Sequence, residues 1–126
     1  RDRGAAARQC GTAREVHVLI PELEPQELAH WLRDASREPP LLLDVREPWE
    51  HEVCRIGDAK LLPLRSLPGS ADELPRDRDI VVVCHHGRRS MHAAMWLARE
   101  GFTRVYNLRG GVAGWADQVD PAMRRY

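Results

Sequence analysis

The sequence has few of the features that mark membrane, nucleic-acid-binding or secreted proteins. No apolar run approaches the ~20 residues that a helix needs to cross a bilayer, so we expect no membrane segment. Lys+Arg and Asp+Glu both total 19, and this zero formal charge gives no overall attraction to nucleic acid or to an acidic membrane surface. The first residues also lack the apolar core of a secretory signal. These absences favour a globular protein whose partners are neither nucleic acid nor membrane.

Cysteine is also scarce. The chain has three, Cys10, Cys54 and Cys84, and this odd number does not suit a disulfide scaffold. Their spacing matches no metal motif, and the adjacent Cys84, His85 and His86 cannot easily share one tetrahedral site, so we expect no metal. We therefore predict a reduced, cytoplasmic setting.

The composition that remains is that of one ordinary folded domain. The 126 residues are 43% hydrophobic and 30% charged, a mix that supports a single domain with one core. Residues 1–14 have no periodic apolar face and are predicted to form a flexible tail. The folded domain is therefore expected over residues 15–120, and residues 121–126 are expected to fray as a C-terminal tail.

Segments with strand and helix patterns alternate along this domain. Strands are predicted over residues 16–20, 41–46, 59–64, 79–84 and 104–108. Helices are predicted over residues 25–35, 47–56 and 88–101, with a short one after residue 109. This alternation predicts the α/β class, with an open parallel sheet and helices on both of its faces.

Two finer expectations concern the helices. The apolar spacing of the first helix predicts one buried face, formed by Leu28, Trp31, Leu32 and Ala35. Residues 65–79 are rich in Pro, Ser and Asp, and they are predicted to form a loop with one helical turn.

The stretch VVVCHHGRRS, residues 81–90, places a thiol at the end of the predicted central strand. Ligands of open α/β sheets bind beyond the carboxyl ends of the strands, and Cys84 stands at such an end. The loop that follows leads into a helix, so several backbone N–H groups converge near the sulfur. Arg88 and Arg89 add positive charge. Cys84 could instead be a small core residue, but the run of polar residues and glycine after it favours a reactive thiolate beside an anion site.

Three motifs carry a resemblance to a known family. They are C-x-x-G-x-R-S (Cys84, Gly87, Arg89 and Ser90), D-V-R-x-x-x-E within residues 41–50, and L-x-G-G-x-x-x-W at residues 108–115. With these motifs in this order and spacing, residues 16–118 resemble the single-domain rhodanese family of thiosulfate or persulfide sulfurtransferases. The family's G-H-I-x-G-A segment is replaced here by CRIGDA, residues 54–59.

The resemblance implies a rhodanese-like sheet of about five strands and a function in sulfur transfer. Cys84 is then the catalytic nucleophile, which carries sulfane sulfur as a persulfide from an anionic donor such as thiosulfate to a thiol or cyanide acceptor. A sulfur-accepting protein is a further expected partner, and no cofactor is expected. The implied substrate-binding loop consists of His85, His86, Gly87, Arg88, Arg89 and Ser90.

The charged residues of the site are expected to divide their roles. Arg89 is expected to tie the loop together by hydrogen bonds to backbone carbonyls or to a carboxylate, whereas Arg88 is the candidate for contacting substrate. Asp44 and Arg46 follow the second predicted strand at the same sheet edge, and a supporting salt link is expected between them. His85 and His86 are open candidates for holding an anion.

Two other functions remain open on the same fold. The active-site loops of cysteine-dependent phosphatases and arsenate reductases match the pattern C-x5-R, whereas only four residues separate Cys84 from Arg89 here. A shorter loop suits a sulfur atom better than a tetrahedral oxyanion. A persulfide carrier or a binding module is the second alternative, although such modules often lack the cysteine.

Overall fold

The computed structural model describes residues 19–126, which form an α/β domain around one parallel sheet. Its five strands are β1 (Glu22–Leu23), β2 (Leu41–Asp44), β3 (Lys60–Leu61), β4 (Ile80–Val83) and β5 (Val105–Leu108). Their order in the sheet is β1-β5-β4-β2-β3, and every neighbouring pair is parallel. The predicted fold class is confirmed, with β4 as the central strand.

Helices connect the strands. They are α1 (Pro25–Arg33), α2 (Pro48–Val53), α3 (Leu67–Ser70), α4 (Arg88–Arg99) and α5 (Gly111–Gln118). α1 and α2 begin in the same way, with proline in the first turn and a capping box in which two glutamates satisfy the free N–H groups. In α2 the glutamates are Glu47 and Glu50, so the cap also fixes the position of Glu50. No helix among residues 19–126 is long and apolar enough to cross a bilayer.

The central strand divides the core into two clusters, one on each face of the sheet. Side chains alternate along a strand, so Ile80, Val82 and the following Cys84 pack in the cluster that contains α4. Val81 and Val83 pack in the other cluster, with α1 and α5. The predicted covering of both faces is thereby confirmed. Cys84 is held from one side by the α4 face of the core.

The predictions for the first strand and for the first helix are wrong in part. Leu19 and Ile20 lie outside any strand, and the first described strand is Glu22–Leu23; residues 16–18 of that prediction, like the predicted tail 1–14, lie outside the described residues. The helix α1 ends at Arg33, so Ala35 lies beyond it, and Leu32 is exposed. The face that α1 buries is instead formed by Pro25, Leu28, Ala29 and Trp31.

The segment predicted to be mostly loop is largely helical. Residues 64–73 form three consecutive short turns, of which α3 is the middle one. Leu67, Ala71 and Leu74 from this segment pack into the α4 side of the core. Burial of these side chains favours ordered turns over an open loop, which composition alone does not reveal.

The end of the chain contacts the rest of the domain. Val119 and Asp120 both donate backbone N–H groups to the Trp115 carbonyl, and the segment then turns back over the domain. Arg125 binds the Asp117 carboxylate at 2.6 Å, and the Tyr126 ring reaches the loop that follows β4. The frayed C-terminal tail over residues 121–126 stays a prediction, although Arg125 and Tyr126 contact the domain.

Candidate active site

The structure places Cys84 immediately after β4, at the carboxyl edge of the sheet. The residue is only 1% exposed. Its carbonyl oxygen accepts a 2.8 Å hydrogen bond from the Val112 N–H at the start of α5. This close approach needs Gly111, because a Cβ there would lie 2.4 Å from the Cys84 carbonyl oxygen, and its φ of +60° is left-handed. Gly111, the first residue of α5, thus allows the approach that holds the Cys84 carbonyl.

The loop that follows folds back on the sulfur. The Gly87 N–H donates a hydrogen bond to Cys84 Sγ at 3.0 Å, and the Ser90 hydroxyl oxygen lies 3.3 Å from the same sulfur. Gly87 has a φ of +103°, and a Cβ there would lie 3.3 Å from the Gly110 nitrogen. Gly87 is the residue before α4 and Ser90 lies in its first turn, so both donors reach Sγ from the start of this helix.

A cleft of about 380 Å³ opens beside the thiol. It is lined by Cys84, His85, His86, Arg88, Arg89 and His92. Arg88 is exposed and forms no ion pair with any residue from 19 to 126. His92 lies one helical turn beyond Arg88, on the same face of α4. The cleft is therefore lined by basic side chains, which suits an anionic ligand.

Arg89 also lines the cleft, but its guanidinium is held by Glu50 of α2. Its Nη1 and Nη2 donate to Oε1 and Oε2 of Glu50, both at 2.8 Å. The Glu50 side chain is 5% exposed, and its hydrogen bonds from Arg89 lower the pKa of its carboxyl from 4.5 to about 2, against the opposing effect of burial. The bidentate pair joins the loop to α2, as was expected of Arg89 bound to a carboxylate.

Arg46 and Asp44 form a second ion pair. Arg46 is completely buried, and its Nε and Nη2 donate to Asp44 at 2.8 and 2.7 Å. The same Nη2 donates to the Cys54 carbonyl at 2.6 Å. Burial opposes ionisation of Asp44, but hydrogen bonds from Arg46 and His51 outweigh it and lower the pKa of the Asp44 carboxyl. Asp44 and Arg46 thus form the expected salt link.

Tyr126 connects the two ion pairs. Its hydroxyl accepts a hydrogen bond from Arg46 Nη1 at 2.9 Å and donates one to Glu50 Oε2 at 2.9 Å. Burial, together with the neighbouring Glu50 carboxylate, raises the pKa of the Tyr126 hydroxyl to about 12. The hydroxyl therefore stays protonated and can keep donating to Glu50 throughout the neutral range.

The two loop histidines form a stack with the same tyrosine. The His85 ring lies 4.1 Å from the Tyr126 ring at an angle of 17°, and 3.9 Å from the His86 ring. Burial lowers the pKa of His85, and the nearby His86 lowers it further. His85 is thereby favoured in its neutral form, whereas His86 is exposed at the cleft.

The structure adds three residues that the sequence did not single out. Glu50 is the last residue of the D-V-R-x-x-x-E motif, so the motif could have identified it as the carboxylate partner of Arg89. Asn107 of β5 donates from Nδ2 to the Gly87 carbonyl at 3.2 Å and so supports the loop. Tyr126 had no signal in the sequence, because its contacts depend entirely on the chain folding back.

The remaining thiols lie apart from the loop or beyond the described residues. Cys54 Sγ is 3.9 Å from Arg46 Nη1, at the end of α2, and the structure shows no contact between Cys54 and Cys84. Cys10 lies outside the described residues. Within residues 19–126, no three His, Cys, Asp or Glu side chains are arranged to hold a metal ion.

These features define a class of protein: an α/β domain that presents a cysteine, beside a cleft with basic side chains, at the end of its central strand. Within this class, the chain belongs to the rhodanese-like domain family, whose model matches residues 25–118. Among solved structures, the rhodanese-like domain protein from Staphylococcus aureus has a TM-score of 0.72 and 26% identity, covering 79% of this chain and 95% of that one.

Two curated relatives of similar length carry functional names. The chain is 40% identical over 98 residues to a sulfurtransferase from Allochromatium vinosum, covering 78% of this chain and 90% of that protein. It is 34% identical over 91 residues to the thiosulfate sulfurtransferase GlpE of Stutzerimonas stutzeri, covering 72% and 81%. Some relatives are longer, and the chain spans 43% of one named a putative sulfur carrier protein, from Bacillus subtilis. Family and relatives together support sulfur transfer in general.

Proposed function

We propose that the protein is a thiosulfate sulfurtransferase in which Cys84 carries the sulfur. The observation that supports this most directly is the pair of donors, Gly87 N–H and Ser90 hydroxyl, which contact Cys84 Sγ beside a basic cleft. Donors in this position stabilise the thiolate that attacks, and then the charged sulfur that replaces it. The similarity to a named thiosulfate sulfurtransferase suggests thiosulfate as the donor.

The first half of the proposed reaction loads the enzyme. The Cys84 thiolate attacks the outer sulfur of thiosulfate, a new S–S bond forms, and the S–S bond of thiosulfate breaks. Sulfite leaves with the electron pair, and Cys84 becomes a persulfide anion. Arg88 attracts the dianionic donor, because it faces the cleft with its charge uncompensated by any residue from 19 to 126.

The second half returns the enzyme to its starting state. A thiophilic acceptor, cyanide in an assay or a thiolate in the cell, attacks the outer sulfur of the persulfide. The S–S bond breaks, and its electron pair returns to Cys84 as the thiolate. The protein has then passed through a double displacement that needs no change of charge on Glu50 or Arg89.

The pairing of Arg89 favours sulfur transfer over phosphate or arsenate chemistry. An oxyanion-binding loop needs its arginine to bind the anion bidentately, but both ends of the Arg89 guanidinium already bind Glu50. With Arg89 engaged, the space around Cys84 Sγ is left to the Gly87 and Ser90 donors. Those donors suit one added sulfur atom.

A persulfide carrier is a second candidate function. The cleft of about 380 Å³ is large for thiosulfate alone, so it leaves room for part of an acceptor protein. The resemblance to a putative sulfur carrier protein points the same way. In that case Cys84 would load with sulfur equally well, but cyanide and small thiols would unload it slowly.

Steady-state kinetics with thiosulfate and cyanide test the proposal. A double-displacement enzyme gives parallel double-reciprocal plots when thiosulfate is varied at several cyanide concentrations. Rapid loading with slow turnover on every small acceptor supports the carrier. Turnover of an aryl phosphate, without any thiocyanate formed from thiosulfate, contradicts both.

A further inference from the structure

A second cavity, of about 170 Å³, lies on the other side of the two loop histidines. Its floor is the apolar face of α5, formed by Val112, Ala113 and Ala116, and the Tyr126 ring lies at its edge. The side chains of His85 and His86 line both this cavity and the Cys84 cleft. We name it the C-terminal cavity, because the segment predicted to fray helps to enclose it.

The charge at the rim of the C-terminal cavity is positive and largely free. Arg125 borders the cavity, but it is paired with Asp117 at 2.6 Å. Arg124 also borders it, is exposed, and forms no hydrogen bond or ion pair with any residue from 19 to 126. The cavity therefore combines an apolar floor with an available cation at its mouth.

The size of the cavity limits what it can hold. A volume of about 170 Å³ is close to that of the apolar protein cavities, roughly 150 Å³, that bind benzene. It therefore suits a chain or ring of about six carbons. Thiosulfate and cyanide have no apolar part that could use such a floor.

We propose that the C-terminal cavity binds the carbon chain of a small acceptor thiol that carries a carboxylate. The carboxylate pairs with Arg124, the chain lies on α5, and the sulfur is directed toward the Cys84 cleft, which His85 and His86 also line. This inference rests on the proposed function. The acceptor thiolate attacks the outer sulfur of the Cys84 persulfide, the S–S bond breaks, and the products are an organic persulfide and the Cys84 thiolate.

Binding can be measured without any sulfur chemistry by using hexanoate as the probe. Hexanoate is expected to shift the amide NMR signals of Val112 and Ala113 in the parent protein, and hexylamine is not. Ala113→Leu, which fills the cavity, and Arg124→Gln, which removes its cation, should both weaken this response. The matched variants Ala98→Leu and Arg99→Gln, on α4, should respond as the parent does. No response to hexanoate, or an equal response to hexylamine, overturns the site.

The acceptor role is tested with mercaptohexanoate against cyanide, with thiosulfate as donor to both. Ala113→Leu should raise the KM for mercaptohexanoate about tenfold and leave the cyanide reaction unchanged. In the Arg124→Gln variant, the KM for mercaptohexanoate should become close to the KM for uncharged mercaptohexanol. Equal effects on both acceptors, or on neither, overturn the acceptor role. If hexanoate binds but Cys84 never forms a persulfide, the carboxylate site stands, and both the acceptor role and the proposed function fail.

Discussion

The two sides of the Cys84 loop differ in what they offer a ligand. On the cleft side, Arg88 is exposed and faces the thiol with no carboxylate partner among the described residues. On the inner side, the neighbouring Arg89 is bound through two hydrogen bonds to the buried Glu50. Two arginines adjacent in sequence thus lie in opposite electrostatic settings.

This difference indicates that one side of the loop binds the ligand, whereas the other side holds the loop in place. The inner side is a continuous chain of ion pairs and hydrogen bonds from Asp44 through Arg46, Tyr126 and Glu50 to Arg89. Because every charge there already has a partner, the inner side holds the loop in place and leaves binding to the cleft side. Changes on the cleft side should therefore alter binding and catalysis, and changes on the inner side should mainly alter stability.

The largest expected effect comes from the thiol itself. We expect Cys84→Ser to lower thiosulfate:cyanide sulfur transfer by at least about a thousandfold, because the hydroxyl cannot accept sulfur. Cys54→Ser, on the inner side, is the control and should keep most of the activity. Melting temperatures show that both variants fold. Activity in the Cys84 variant above about a tenth of the parent's contradicts the assignment.

Breaking the inner side should cost stability more than binding. Arg89→Ala leaves the buried Glu50 carboxylate without its main partner, and we expect a loss of about 2–3 kcal/mol in the free energy of unfolding. Arg88→Ala, the matched control from the cleft side, should melt like the parent. Chemical denaturation measures both variants. If Arg88→Ala is the destabilised one, the two roles are reversed.

The same pair makes stability depend on pH. Because the pKa of Glu50 is lowered from 4.5 to about 2, the stability it contributes is fully present above pH 4.5 and is lost as the pH falls toward about 2. That contribution is at most about 3 kcal/mol. In Arg89→Ala, unfolding between those pH values should depend much less on pH. An unchanged pH dependence would show that another group is responsible.

Changing the length of the loop tests the role of the two hydrogen-bond donors, Gly87 and Ser90, that contact Cys84 Sγ. One glycine inserted after His86 should move the Gly87 and Ser90 donors away from Cys84 Sγ and lower sulfur transfer at least tenfold, about 1.4 kcal/mol of transition-state stabilisation. A glycine inserted after Gly57, in the turn before β3, is the control. Paired kinetics on thiosulfate and an aryl phosphate measure the effect. Efficient phosphatase activity in the parent protein would show that the loop binds an oxyanion instead.

On the cleft side, charge should matter for binding. We expect Arg88→Ala to raise the KM for thiosulfate about fivefold with a smaller change in kcat, because it removes ground-state attraction to the dianion. The effect should diminish as ionic strength rises, since Arg88 is exposed. A change confined to kcat would mean that Arg88 acts on the transition state.

The smallest expected effect concerns the bridge between the ion pairs. Tyr126→Phe keeps the ring on His85 but removes the hydroxyl that links Arg46 to Glu50, and we expect a loss of about 1 kcal/mol in stability. Sulfur transfer should change less than twofold. Tyr126→Ala, which also removes the stack, should cost more. A larger effect of Tyr126→Phe on kcat than on stability contradicts a purely supporting role.

The sequence predicted the cleft side well because its features are local. A continuous apolar run ending in Cys84 identifies a buried strand, and a glycine followed by arginines identifies a loop leading into a helix. The D-V-R and G-G motifs also placed the start of α5, together with Asp44 and Arg46 of the inner side, at the same edge. For these residues, spacing along the chain determines position in the fold.

The contacts of Tyr126 on the inner side could not be predicted in the same way, because they join distant parts of the chain. Tyr126 meets Arg46 and Glu50 at sequence separations of 80 and 76 residues, and no local pattern records such a pairing. The turns over residues 64–73 were missed for a similar reason, since it is burial of Leu67 and its neighbours against α4 that orders them. In each case tertiary contacts outweigh local propensity.

The most direct test of the account is the intact mass of the protein after exposure to thiosulfate and again after a chase with cyanide. We expect one added sulfur in the parent and in Cys54→Ser, located on the peptide that contains Cys84, and its complete removal by cyanide with formation of one equivalent of thiocyanate. Cys84→Ser should gain no sulfur. A parent protein that gains none, or a Cys84→Ser variant that still gains one, would contradict the claim that Cys84 carries the transferred sulfur.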